Sequence, residues 1–148
     1  MDKWTSASTA ALVFAFLAGS AAAQVTQTDE QVSQALPGSW IIPPDTSDRA
    51  DQAFLAAGNF AIERFDSDRT GVVTLYHGPG CTNQFYQNTF TWTVRDGVFI
   101  FTYADGHRSN ARIQNITNDS FTFDLPPDRH VIRARGSCDQ PAATPSGK

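Results

Sequence analysis

The segment that most restricts the fold spans residues 89–95, where Phe90, Trp92 and Val94 alternate with Thr89, Thr91 and Thr93. A period of two puts the large side chains on one face of a strand and the threonines on the other, so one face is buried and one is wet. Asp96-Gly97 follows at once, and this dipeptide signals a two-residue type I′ hairpin loop. Such a loop sets Val94 opposite Phe99, Trp92 opposite Phe101 and Phe90 opposite Tyr103. All of these side chains then share one face, as cross-strand pairing requires.

The next Asp-Gly, Asp105-Gly106, cannot turn the chain in the same way. A two-residue turn would bring Arg108 and Arg112 onto the apolar face. A three-residue loop over 104–106, with Gly106 left-handed, moves the register by one. His107, Ser109, Ala111 and Ile113 then join the aromatic face, and both arginines point to solvent. Small side chains opposite large rings fit either dense interdigitation or a cavity.

The same rhythm predicts strands over 60–65 and 72–77 around the polar turn 66–71. It predicts another over 120–125, with Phe121, Phe123 and Leu125 inward. In 129–135, His130, Ile132 and Ala134 alternate with Arg129, Val131, Arg133 and Arg135. Ahead of the strands, Thr28-Asp29-Glu30-Gln31 has the capping-box form and predicts a short helix over about 29–35. Ser47 is the expected cap of a second helix over 48–57, with Ala50, Ala53, Phe54 and Ala57 buried and Gly58 as its stop. Seven or eight short strands with tight turns predict an all-β fold, an antiparallel up-and-down meander with one or two short N-terminal helices. Closure into a small barrel removes exposed edges; an open sheet or a sandwich is the alternative.

Residues 1–23 read as a secretory signal: Lys3, an apolar run over 10–19, then Ser20 and three alanines. The run is shorter than the roughly 18 residues a membrane-spanning helix needs, so no transmembrane anchor is expected. Gln24, not a cysteine, follows the expected cut, so no lipid anchor is indicated. Removing that segment from 148 residues leaves 148 − 23 = 125, enough for one domain. The expected division is a signal over 1–23, a helical segment over 24–36, a barrel over 37–138 and a disordered tail over 139–148. A net charge of −4 argues against nonspecific nucleic-acid binding. Export lets Cys81 and Cys138 form a disulfide, and without C-x-x-C spacing they point to neither zinc nor redox catalysis.

Gly38-Ser39-Trp40, a G-x-W pattern after a short helix, and the meander running to Arg135 resemble the lipocalin-like, or calycin, group of small β-barrels. The resemblance covers about 36–138. It implies a binding protein that holds a small apolar molecule in the barrel. It also implies that an arginine of the last strand, Arg133 or Arg135, stacks on Trp40. A looser resemblance is to the periplasmic barrels that inhibit secreted metalloproteases, which also have a helix, a G-x-W strand and one disulfide.

Residues that could do chemistry are sparse. Asp66-Ser67-Asp68-Arg69-Thr70-Gly71 starts like a calcium loop, but His77 stands where the loop needs a glutamate, so a polar turn is expected. His77, His107 and His130 lie on separate elements, so no metal or other cofactor is expected; His107 and His130 are candidates to point inward. There is no G-x-S-x-G elbow and no phosphate-binding loop. The best ligand candidate is the aromatic face. Tyr86, Trp92, Phe101, Tyr103 and His107 are the expected ligand-binding residues, with Tyr86, Tyr103 and His107 as polar anchors. Arg108 and Arg112, with Arg129, Arg133 and Arg135 two strands on, suggest a basic outer face for an anionic partner. The reading is an exported, periplasmic or extracellular, non-enzymatic binding protein; the alternative is a protein-binding barrel that inhibits a secreted enzyme. Intact-mass measurement of protein recovered from an export-competent host should find a chain beginning at Gln24. A mature form that keeps Met1 would remove the export assignment.

Overall fold

The computed structural model describes residues 27–78 and 80–139. The expected signal segment over 1–23, and all but the first residue of the expected tail over 139–148, lie outside the described residues. Two helices and eight strands follow in the order α1 (Asp29–Ala35), β1 (Gly38–Ile41), α2 (Arg49–Ala56), β2 (Asn59–Phe65), β3 (Thr70–His77), β4 (Gln84–Arg95), β5 (Val98–Tyr103), β6 (Arg108–Ile116), β7 (Ser120–Leu125) and β8 (Arg129–Arg135). Each strand pairs antiparallel with the next, and β1 pairs with β8. The meander is therefore a closed barrel with no free edge, and the open-sheet and sandwich alternatives fall.

Both hairpin registers hold. Phe90 faces Tyr103, Trp92 faces Phe101 and Val94 faces Phe99. Across the next loop Phe99 faces Ala111 and Phe101 faces Ser109. Gly106 has φ +84°, the left-handed backbone this loop needs. Arg108 and Arg112 are exposed, as expected.

In β8 the arginine face is the inner one. Arg133 pairs with Phe121 and Val131 with Phe123, and all four side chains are buried. Arg129, Arg133 and Arg135 each engage carboxylates or backbone carbonyls. They form no outer basic face. His130 is exposed and pairs with Asp124 at 2.7 Å. The expectation that it points inward is overturned: closure sets Arg135 against Trp40 and Arg133 against Asp51, and period two then forces His130 out.

The two helices close opposite ends. α1 starts on the expected capping box, with Thr28 Oγ1 accepting from Gln31 N and Gln31 Oε1 accepting from Thr28 N. It covers the end bearing the β2–β3, β4–β5 and β6–β7 turns. Asp29 accepts from the backbone N–H groups of Asp96 and Gly97 at 2.7 and 2.9 Å. Arg69 donates to Ser33 Oγ at 2.9 Å. Gln27 exchanges two hydrogen bonds with the backbone of Ile116. Below α1, Val32 and Leu36 pack with Trp40, Phe65, Trp92 and Phe99 in one buried cluster. Gly71 lies in register between Phe65 and Phe90, where a side chain would collide with the Phe90 ring.

α2 follows β1 and covers the other end. Its cap is Asp48, not the expected Ser47. Ala50, Ala53 and Ala57 are exposed and Phe54 is half-buried; the buried residue is Asp51. The expected apolar stripe is therefore wrong. An alanine has only one methyl to bury, whereas an arginine inside the barrel needs a counter-ion, and Asp51 supplies it.

Trp40 is fully buried, edge-on to Phe121 at 4.7 Å. Its Nε1 donates to the carbonyl of Leu36 at 2.8 Å. The Arg135 guanidinium lies over the Trp40 ring at 3.7 Å. It donates to the carbonyls of Ala35, Pro37 and Asn118 at 2.6, 2.8 and 2.9 Å. Those of Ala35 and Leu36 are among the last of α1, which lack partners within the helix, and a cation suits that end of the dipole. Arg135 thus takes the role left open between two arginines, while Arg133 stacks on Phe123 at 5.6 Å. Gly38 has φ +128°, and a Cβ there would meet Arg135 Nη1. That explains the glycine of G-x-W. Cys81, in the β3–β4 loop, is bonded to Cys138 after β8, a separation of 57 residues; closing such a loop in the unfolded chain is worth about 4 kcal/mol in the chain-entropy model. Gly38→Ala should lower stability in urea denaturation by about 1–3 kcal/mol, through backbone strain and displacement of Arg135. A change within error would mean the guanidinium relocates freely.

Candidate functional site

Inward-facing side chains divide by depth. At the α1 end Trp40, Phe65, Trp92 and Phe99 are buried. At the α2 end Leu75, Tyr103, Ser109 and Leu125 are half-buried, and Tyr86 is 45% exposed. Apolar and aromatic side chains there face the barrel axis yet meet solvent, so this end is the less tightly closed of the two. Two grooves, of about 480 and 670 Å³, are lined largely by outward residues such as Asn110 and Arg112, or Thr74 and Thr91. The candidate site is therefore the barrel's open end.

Trp92 is floor rather than lining. Its Nε1 donates to the Thr70 carbonyl at 2.9 Å, and Arg69 stacks over it at 4.5 Å. Phe101 is half-buried, 5.4 Å from Phe90 and 6.3 Å from Phe65. Tyr103 stacks on Phe101 at 6.5 Å, and the exposed His107 stacks on Tyr103 at 6.0 Å. Tyr86 faces the axis opposite Leu75, and its hydroxyl accepts from Asn88 Nδ2 at 3.1 Å. The structure thus brings Phe101, Tyr103 and His107 into one stacked column beside the mouth, and it separates Trp92 from that column by depth.

Charged residues also gather at this end; sequence reasoning placed Arg129 and Arg133 on an outer face and did not single out Asp51 or Glu63. Arg133 is only 9% exposed and lies between two acids: Nη1 meets Asp51 Oδ2 at 2.7 Å and Nε meets Glu63 Oε1 at 3.0 Å. Burial acts to lower the Arg133 pKa, but the charges of Glu63 and Asp51 prevail and raise it. Arg129 holds Asp48 in a bidentate pair at 2.6 and 3.0 Å. That hydrogen bond lowers the Asp48 pKa to about 2, against the opposing effect of burial. The Tyr103 hydroxyl has a raised pKa, first from burial and then from the nearby Glu63 carboxylate and Tyr86. The signal for Glu63 was present: it lies midway between Ala61 and Phe65 at period two, on the inner face.

The other candidates resolve as structural. His77 meets Asn59 Oδ1 at 2.9 Å and stacks on Phe85 at 3.9 Å. In the 66–71 turn Asp68 accepts from Thr70 N and Oγ1. Among the described residues no group of three or more His, Cys, Asp or Glu is placed to hold a metal. No helix there is long and apolar enough to cross a membrane.

A family model for the lipocalin-like domain matches residues 36–123, or 88 of 148. The chain belongs to the lipocalin-like domain family. No curated protein and no solved structure matches it. The lipocalin-like match runs from Leu36, at the end of α1, into β7. It therefore includes Gly38, Trp40, Glu63 and the aromatic column and stops short of the β8 arginines.

Asp48 gives a pH prediction. Its folded pKa lies below its ordinary 3.8, so the unfolded state binds the proton more tightly. The Asp48–Arg129 contribution is then full above about pH 4 and is lost as pH falls towards 2. Asp48→Asn keeps a capping side chain but should cost about 1 kcal/mol at pH 7, a low value because Arg129 is 40% exposed. The difference from wild type should shrink to a small part of its pH 7 value at pH 2, where Asp48 is about half protonated. Urea curves at pH 7, 4 and 2 check this; a difference undiminished at pH 2 would assign it to the cap alone.

Proposed function

We propose that this protein is an exported, non-enzymatic carrier that holds a small, largely apolar molecule in the open half of its barrel. One observation supports the reading above others: aromatic and apolar side chains that face the axis are half-exposed at the α2 end, beside fully buried counterparts at the α1 end. Tyr86, Phe101, Tyr103 and His107 would contact the ligand, with Trp92 as the floor. Trp40 and Arg135 close the far end and would take no part in binding. Membership of the lipocalin-like family agrees with small-molecule binding. Export is supported by the signal-like residues 1–23 and by a disulfide, which persists in oxidising compartments. The mature chain would then be residues 24–148, with a barrel domain over 37–138.

The test uses the protein recovered from its own compartment. Native mass spectrometry should find a bound small molecule, released on denaturation. Ser109 lies inward, opposite Phe101, so Ser109→Leu should fill the mouth. The variant should keep wild-type stability within about 1.5 kcal/mol and bind the ligand at least about tenfold more weakly. If Ser109→Leu binds as well as wild type, the ligand does not enter the barrel. The inhibitor reading would then return, with the exposed Phe85 ring as the first place to look for a protein contact.

A further inference from the structure

We infer that the open end of the barrel selects a ligand with a cationic head, such as an organic amine on an apolar body, and that Glu63 receives the charge. This rests on the small-molecule reading above and names the chemical class of that ligand.

Glu63 faces the axis, flanked in register by Trp40 and Val73. It stays 20% exposed, so water, and hence a ligand, reaches it. Only Oε1 is engaged, by Arg133; among the described residues no donor is placed on Oε2. The Tyr103 hydroxyl, on the same inner face of the barrel, likewise makes no hydrogen bond among the described residues, and its raised pKa comes first from burial and then from Glu63 and Tyr86. A carboxylate beside aromatic rings suits an ammonium group: the acid receives the charge, and the ring faces attract it through their quadrupole.

The charge balance points the same way. Asp48, Asp51 and Glu63 face Arg129 and Arg133 at this end, so 3 − 2 leaves one negative charge in excess. Both guanidiniums are committed, Arg129 through Nε and Nη2, Arg133 through Nε and Nη1. On the surrounding rim the exposed Asp45, Asp105 and Asp128 outnumber Arg49 and Arg108; Asp124 is matched by His130 and Arg112, and His77 and His107 also lie at this end. An anionic head would add to a negative charge already in excess at this end. A cation completes the balance without breaking a pair.

Isothermal titration of the mature protein with 3-phenylpropylamine, 3-phenylpropanol and 3-phenylpropanoate tests this. The three differ mainly in head group. The amine should bind about tenfold or more tighter than the alcohol, as a charge-assisted hydrogen bond warrants, and the carboxylate should bind weakest. Raising the salt should weaken the amine and leave the alcohol unchanged. Glu63→Gln keeps an acceptor for Arg133 and should bring the amine level with the alcohol while alcohol binding persists. Equal binding of amine and alcohol by wild type, preference for the carboxylate, or an undiminished amine preference in Glu63→Gln overturns the inference. If the alcohol binds in any of those cases, the carrier reading stands and only the charge assignment falls; if none of the three probes binds, both fall. Should Glu63→Gln fail to fold, the salt dependence on wild type decides alone.

Discussion

The Arg135 guanidinium is the contact on which the architecture depends. It lies flat on Trp40 and satisfies the carbonyls of Ala35, Pro37 and Asn118. It therefore joins the last strand to the first, to the end of α1 and to the β6–β7 turn. Burial lowers its pKa, but an arginine remains charged at any physiological pH, so the contact does not titrate away. A lysine could stack but could not reach three carbonyls with a planar fork. Gly38 leaves the space the guanidinium occupies. The G-x-W pattern is thus half of a device whose other half lies about a hundred residues on, beyond the segment the family model matches.

Because α1 and this knot seal one end, the barrel is not uniform along its axis. Phe65 packs against Phe90, Trp92, Phe99, Phe101 and Phe121. Such close packing of rings concentrates buried aromatic surface at that end. The opposite end is held in a different way. α2 buries little apolar surface and is fastened by Asp48 on Arg129 and Asp51 on Arg133. Ion pairs partly offset their own desolvation and add less net stability than apolar contact, but they fix orientation. The helix is therefore held over the less tightly packed end by charge pairs rather than by apolar packing. A ligand in the proposed site would enter past this weaker closure.

The residues themselves determined most of the strands, the registers of the two hairpins over 89–113 and the capping box of α1. Alternation along 89–95, the Asp96-Gly97 turn and the three-residue loop at 104–106 are local patterns. Each has only one arrangement that keeps arginines out of an apolar face, and the structure adopts it. The disulfide, too, was legible, from two cysteines in a chain with a signal-like start. Only the tertiary structure decided the rest. Period two names two faces of β8 without saying which is inner, and closure of the barrel chose the face with Val131 and three arginines. The buried side of α2 could not be read from its alanines, because the acid it buries answers to Arg133, eighty-two residues away. Trp92 and Tyr103 look equivalent along their strands; depth alone separates floor from mouth, and depth is set by which end α1 covers. Local patterning is legible because it depends on neighbours in sequence. Charge pairing and access are not, because they depend on partners that meet only when the barrel closes.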